Sequence, residues 1–459
     1  MIFFAKRFKV PNNERQNTYH KNPASQFTSL HSMNLTNIVN EEKLNRYDYI
    51  LFIIVFFCPY TDSGVWWMLT SFIPSLATLG SSFLVFVLSL YLFQYAFRSH
   101  YTPCSKTLCW LMLLATAWSA YKFLETVNAS GISETITIYR KNYILLPSFL
   151  LCMSYISSMS TTRLELFAKL ILKWTLILAV LYFIQCAGIN IFNTNIRIET
   201  AGDVSVLRNI IGIPPIAPVI VAFCYVSYLY HETRKSSTYL VTCLMVQFIS
   251  YTRSLIATAG IIIILSTILY IWKWGVRDKY KLLFYIILGI VLIAILFPNG
   301  LEFWINLIDS TINSQLVKEE GTYAFRESLI EKAIYTIQHH QSLWTGIGYI
   351  RDVPKGEYSL VLGVDTYVAP ILWCEGIIGM ILRCLPCLYL LIKSWEYFRR
   401  YPHDIKGQLA LVIFTSIISQ IPNYVQTSIF IKYNHTIALL YMMYIYIYKI
   451  ESQQMNSHA

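Results

Sequence analysis

Apolar and polar positions follow one another in long blocks along this chain. Apolar runs occupy 47–62, 66–97, 107–125, 143–159, 167–189, 210–230, 238–251, 255–272, 280–297, 365–392, 408–424 and 428–449, with charged residues gathered between them. Runs of that length need about 20 residues each to cross a bilayer as helices, which keep every backbone group bonded internally. They predict an all-α polytopic membrane protein of about 12 transmembrane helices, the first two forming a broken hairpin. Residues 1–46 are polar and basic without sustained periodicity, which reads as a disordered cytoplasmic tail, with Met33 as an alternative start. The membrane domain spans 47–449, and 450–459 is a second cytoplasmic tail. The first apolar run begins only near Tyr47, so no cleaved leader is expected.

One stretch breaks the block pattern. Between Pro298 and Asp365 the chain carries Glu302, Asp309, Glu319, Glu320, Glu327, Glu331, Asp352 and Glu357 against Lys318, Arg326, Lys332, Arg351 and Lys355. A bilayer core does not hold that density of charge, so 298–364 is one long extramembrane loop. Within it Phe325, Leu329, Ala333 and Ile337 recur every fourth residue beside Ile330 and Ile334, predicting an amphipathic helix on the membrane surface or the bundle top. Gly346-Ile347-Gly348 follows as a turn, since a lone G-x-G with no strand before it is not a nucleotide fingerprint. The chain re-enters lipid at Asp365-Thr366-Tyr367 and continues through Trp373-Cys374-Glu375-Gly376-Ile377-Ile378-Gly379.

Composition agrees with the pattern: 56% of 459 residues are hydrophobic and 13% charged, with mean hydropathy +0.49. The net charge of +11 has a topological origin. Basic residues fall in alternate loops, at Arg98 and Lys106, Arg163 and Lys169, Arg234 and Lys235, Lys273 to Lys281, and Lys393 to Lys406. The bias toward positive charge inside puts both termini in the cytoplasm and 298–364 outside, and it removes nucleic acid as a partner. Ten cysteines sit mostly in apolar runs as small hydrophobes, Cys384-Leu-Pro-Cys387 among them.

This orientation makes five arginines stand out, because Arg197, Arg208, Arg253, Arg326 and Arg351 fall on the outer side against the bias. Each alone is explained by a lipid headgroup or a neighbouring carboxylate such as Glu199 or Asp203. As a set they suit a pyrophosphate, which a guanidinium fork grips through two bonds. Asp365 at the re-entry point has two compatible roles, a cap for the following helix and a general base. His339 and His340, at the end of the amphipathic helix, titrate near neutrality or simply favour a helix C-terminus. Glu375 and Arg383 are ionisable groups inside a predicted span, where Glu375 faces a neighbouring helix or a cavity. Phosphate-binding Walker loops, paired metal-binding histidines, nucleophile-elbow serines and Asp-x-Asp pairs are all missing, so no metal or cofactor is expected.

In order of features, residues 160–450 resemble the O-antigen polymerase and O-antigen ligase superfamily of bacterial envelope glycosyltransferases. The likeness rests on the Thr252-Arg253-Ser254 turn between two short apolar runs, Arg326 opening the loop helix, Gly346-Ile347-Gly348, and Asp365-Thr366-Tyr367 leading to Glu375-Gly376-x-x-Gly379. The resemblance implies metal-independent inverting glycosyl transfer on oligosaccharides carried by undecaprenyl pyrophosphate, at the outer face of the bacterial inner membrane. It implies Arg253 and Arg326 as holders of the donor pyrophosphate and Asp365 as the base. From their outer positions Arg197, Arg208 and Arg351, with His339 and His340 at the helix end, are expected as further substrate contacts, with membrane lipid as surroundings and a flippase and a chain-length regulator as partners. Ligases of the superfamily carry a histidine where this chain has Asp365, which favours a polymerase over a ligase acting on an acceptor such as lipid A-core. A transporter or flippase of the same lipid-linked units is the alternative from another class.

Overall fold

Where the apolar runs are described, they are helical. The computed structural model describes residues 43–57, 73, 81–93, 103–186, 189, 197–201, 204–208, 217–231, 234–249, 253–274, isolated positions between 291 and 309, then 322–351, 368–421 and 436–458. The tail up to residue 42, most of the span predicted at 280–297, residues 310–321 of the predicted outer loop and the predicted re-entry residues 352–367, Asp365 included, lie outside the described residues.

The first helix, α1 (Arg46–Phe52), starts where its cap dictates. Asn45 accepts from the amides of Tyr47 and Asp48, and the Asp48 carboxylate accepts the Asn45 amide at 2.8 Å, a reciprocal capping box. Asp48 is fully buried and is gripped by Arg163, whose Nε and Nη2 donate at 3.1 and 2.7 Å, and by the Tyr155 hydroxyl at 2.8 Å. Arg163, expected as a loop charge setting orientation, thus also bolts the first helix to the junction of α5 (Leu145–Ser158) and α6 (Thr161–Cys186).

Between these lie α2 (Ser81–Leu92), α3 (Pro103–Ser130) and α4 (Ile132–Asn142). The span predicted at 107–125 is therefore longer, ending at Gly131, whose φ of +84° turns the chain into α4. The pattern did not announce α4, because its Glu134 and Arg140 break the apolar block while Ile138 and Thr135 face inward. After α6 comes a two-stranded antiparallel hairpin, β1 (Arg197–Ala201) and β2 (Val204–Arg208), an addition to an otherwise helical set of described residues. Then follow α7 (Ala217–Tyr230), α8 (Arg234–Ile249), α9 (Arg253–Trp274), α10 (Thr322–His339), α11 (Val368–Arg400), α12 (Ile405–Ile418) and α13 (Thr436–His458). The last runs on through most of the predicted tail at 450–459.

At the centre is α12, buried along nearly its whole length and packed against α7, α11 and α13. A helix apolar on all sides belongs inside. Four described helices are long and apolar enough to cross a membrane, within α3, α6, α9 and α11, and shorter apolar helices accompany them at 82–92, 145–158, 218–230 and 405–418. Large apolar side chains stand exposed at helical spacing on their outer faces, such as Ile264 and Ile268 on α9 and Ile381, Leu388 and Ile392 on α11. Water would penalise such continuous faces, and lipid does not.

Candidate functional site

Helix α10 packs on α11, with Ala333, Thr336 and Ile337 buried beneath it. The predicted apolar stripe holds at Ala333 and Ile337 but not at Phe325, which is 54% exposed. Four residues beyond the end of the helix, the chain does something the pattern only hinted at: it wedges into a break in α11. At Gly376 the backbone of α11 leaves helical geometry, with φ +66° and ψ −167°. A break frees the amides that follow it and the carbonyls that precede it, and buried polar groups need partners. The loop supplies them. Ile377 and Ile378 donate to the carbonyls of Leu343 and Trp344 at 3.2 and 3.1 Å, and the Trp373 carbonyl accepts the Ile347 amide at 2.7 Å.

Two glycines make this approach feasible. Gly346 lies at φ +72°, and a Cβ there would stand 2.6 Å from the amide nitrogens of Glu375 and Gly376. At Gly376 a Cβ would run into the Trp344 carbonyl oxygen. Both positions therefore exclude side chains on two counts, left-handed backbone and touching main chains. So Gly346 is a turn residue as expected, and its partner is the G of Glu375-Gly376.

Below the break sits a buried polar network. Glu375 and Arg383, 1% and 0% exposed, form a two-pronged ion pair, with Arg383 Nη2 2.5 Å from Oε1 and Nε 2.7 Å from Oε2. The Tyr349 hydroxyl donates to the same Oε1 at 2.5 Å and lies 2.8 Å from Ser119 Oγ. Burial, and then the neighbouring Glu375 charge, hold the Tyr349 phenol well above its ordinary pKa, so it stays a donor. Gly379 leaves the room that lets the Glu375 side chain run forward along the helix toward Arg383. The Arg383 guanidinium also lies 5.3 Å from the ring centre of Tyr143, whose hydroxyl donates to the Pro370 carbonyl at 2.8 Å.

The facing wall is a polar stripe on α3. Trp118 Nε1 donates to the Glu375 carbonyl at 3.1 Å, Lys122 Nζ to the Gly346 carbonyl at 3.2 Å, and Thr126 Oγ1 accepts the Tyr349 amide at 3.1 Å. These residues recur every fourth position, one helix face. Lys122 is itself buried and also pairs with Glu125 at 2.5 Å. Sequence reasoning missed this stripe, although a lysine inside an apolar span is a signal that it has a partner.

The other site residues named from the sequence are placed as follows. Arg326 is half-buried near the start of α10, while His339 and His340 stand at its other end, about 20 Å away along the axis at ~1.5 Å per residue. One pyrophosphate does not span that distance, so the histidines and Arg326 are separate groups. His339 stacks on Tyr335 with ring centres 6.3 Å apart. Arg351 is exposed, and its amide donates to Glu134 of α4 at 3.1 Å. The hairpin register puts the backbones of Arg197 and Arg208 opposite one another. Arg253 is the first residue of α9, directly after the short connection from α8, and Asp365 lies outside the described residues. A scan against protein-family models finds no match to this chain, and a search of curated proteins finds no matching sequence.

Proposed function

We propose that this chain is a polysaccharide polymerase of the bacterial inner membrane, joining repeat units carried on undecaprenyl pyrophosphate at the outer face. In this proposal twelve spans, with both termini in the cytoplasm, hold a site made of Arg253, Arg326 and Asp365. The two guanidinium groups take up the charge that develops on the departing pyrophosphate, the task a divalent cation performs elsewhere. Asp365 accepts the proton of the attacking sugar hydroxyl. Support comes from one observation above all: α10, with Arg326 near its start, is fastened to α11 through the loop wedged at Gly376. The wedge fastens the end of α10 opposite Arg326, and the buried Ala333, Thr336 and Ile337 seat the helix itself on α11; in this proposal the helix stands at the membrane border, where a lipid-linked anion presents its headgroup.

A deletion strain complemented with Arg253→Ala or Arg326→Ala tests this. The expected result is loss of long polymer with single repeat units still attached to their acceptor, and poor rescue by lysine, which lacks the planar fork. Full rescue by lysine at both positions would sink the pyrophosphate clamp. A second reading has its own observation, since a broken helix beside a buried ion pair is a feature of transporters. A flippase predicts a different phenotype in the deletion strain: no single units reach the outer face at all.

A further inference from the structure

Beyond the turn at Gly131, the side chains of α4 fall into distinct sectors at about 100° per residue. Thr135 and Ile138 point into the protein, where Ile138 joins Tyr349 and Trp373 in a buried cluster. Roughly a quarter-turn away, Ile132 and Ile136 are 62% and 44% exposed. On the side opposite these isoleucines, the exposed Glu134 accepts the Arg351 amide at 3.1 Å. A helix with protein on one side and polar groups opposite an exposed apolar pair needs a third medium beneath that pair. The neighbouring helix supplies its identity. On α3 the exposed side chains Trp110, Leu114, Tyr121 and Leu124 make one stripe, on a helix long and apolar enough to cross a membrane. The stripe ends at Leu124, and the ring of Phe123 beside it packs on Tyr139 of α4, centres 4.8 Å apart. Ile136 stands within one turn of that contact, so the apolar pair continues the α3 surface at the depth where the stripe stops. Amphipathic helices bury their apolar faces at that level, between acyl chains and headgroups.

We infer that α4 is an interfacial helix, with Ile132 and Ile136 set among membrane lipids, and that the bilayer thereby braces the loop wedged at Gly376. The bracing runs through the other sectors of the helix. Ile138 shares its buried cluster with Tyr349, the Tyr139 ring meets the Tyr349 ring edge-on with centres 5.1 Å apart, and Glu134 holds the Arg351 amide. The exposed Arg140, one turn beyond Ile136, is long enough to reach water from the edge of the apolar pair. The surface takes up the apolar part of a phospholipid and selects no headgroup charge. It uses none of Arg253, Arg326 or Asp365, so it is independent of the proposed polymerase site.

The full-length protein is placed in phosphatidylcholine nanodiscs with an environment-sensitive fluorescent amino acid in place of Ile136 or, separately, of Thr137, which is exposed on the polar side. Emission is quenched by a lipid carrying a nitroxide at the headgroup end of its acyl chain, or by iodide in the water. The probe at Ile136 should lose most of its emission to the lipid nitroxide and little to iodide, and the probe at Thr137 should do the reverse. In the same nanodiscs, the double variant Ile132→Asn with Ile136→Asn should speed deuterium exchange at the Ile347 and Tyr349 amides about tenfold, the ratio for roughly half of one isoleucine's burial free energy. Thr137→Asn, which also puts asparagine into the helix, should leave those amides unchanged. Iodide quenching at Ile136 equal to that at Thr137 puts the isoleucines in water and overturns the proposal. Shielding of Ile136 from both quenchers assigns the surface to a protein partner or a second copy of the chain and overturns it as well, as does unchanged exchange in the double variant.

Discussion

Two places in the molecule use the same three groups, a carboxylate, an arginine and a tyrosine hydroxyl, to different ends. At the start of α1, Asp48 meets Arg163 and Tyr155; at the break in α11, Glu375 meets Arg383 and Tyr349. Both carboxylates are buried, yet their surroundings differ. Asp48 also accepts the Asn45 amide, and the Arg163 side chain is 14% exposed, at the polar end of the helices. Glu375 has Arg383 and Tyr349 as its partners, and both members of the ion pair are closed off from solvent. The first joint therefore ties separate helices together at their ends, where loss of one member leaves others in place. The second lies within one broken helix and holds a loop against it, where loss of the arginine strands a carboxylate. The difference lies in how many partners remain when one is taken away, not in the chemistry of the pair.

The largest expected effect follows from that difference. Arg383→Leu leaves Glu375 buried with the Tyr349 hydroxyl alone and should cost about 3–5 kcal/mol of stability. Thermal unfolding in detergent measures it, and the double variant Glu375→Leu with Arg383→Leu should recover most of the loss, because an apolar pair leaves no stranded charge. A double variant as unstable as the single would show that the pair does more than satisfy itself. Next comes Gly346→Ala, about 2–3 kcal/mol: the left-handed backbone accounts for ~1–2, and overlap with the main chain of Glu375 and Gly376 for the remainder. Alanine there should also expose the loop, so limited proteolysis between residues 340 and 351 should quicken.

Arg163→Leu should cost less than Arg383→Leu, about 1–3 kcal/mol, since Asp48 keeps the Asn45 amide and the Tyr155 hydroxyl. Equal losses at the two arginines would refute the comparison. Smallest is Tyr349→Phe, about 1.5 kcal/mol, the low end for one hydrogen bond to a charged group, because the carboxylate keeps its arginine. That variant sharpens the assignment: a loss as large as that of Arg383→Leu would make the hydroxyl, and not the ion pair, the fastener of the loop.

How much of this was legible beforehand differs from element to element. The helices α3, α5, α6, α9 and α11 lie where the apolar blocks put them, because a span needs only a long run of one kind of residue. The loop helix α10 was legible for a related reason, its period showing through at Ala333 and Ile337. Phe325 misled, since a residue at the edge of an apolar stripe keeps the period whether or not anything covers it. Gly346 and Glu375-Gly376 were each visible as unusual, a turn and a charge within a span. Their meeting was not, because the residues are 29 and 30 positions apart and hydropathy carries no term for a backbone contact. The α3 stripe was hidden for the same reason, with Ser119 and Lys122 looking like isolated polar residues in an apolar run.

The residue pattern by itself determined a helical membrane protein and set apart one charged stretch before its last helices, since a bilayer leaves uncharged runs and helical hydrogen bonding as the available solution. Which helix is central, where α11 breaks, and which arginine answers which carboxylate were decided only by the packed structure. Those outcomes depend on main chains touching at Gly346 and Gly376 and on buried charges finding partners far off in the chain. Local sequence cannot express such contacts, because it can mark each residue as unusual without saying which distant residue it meets.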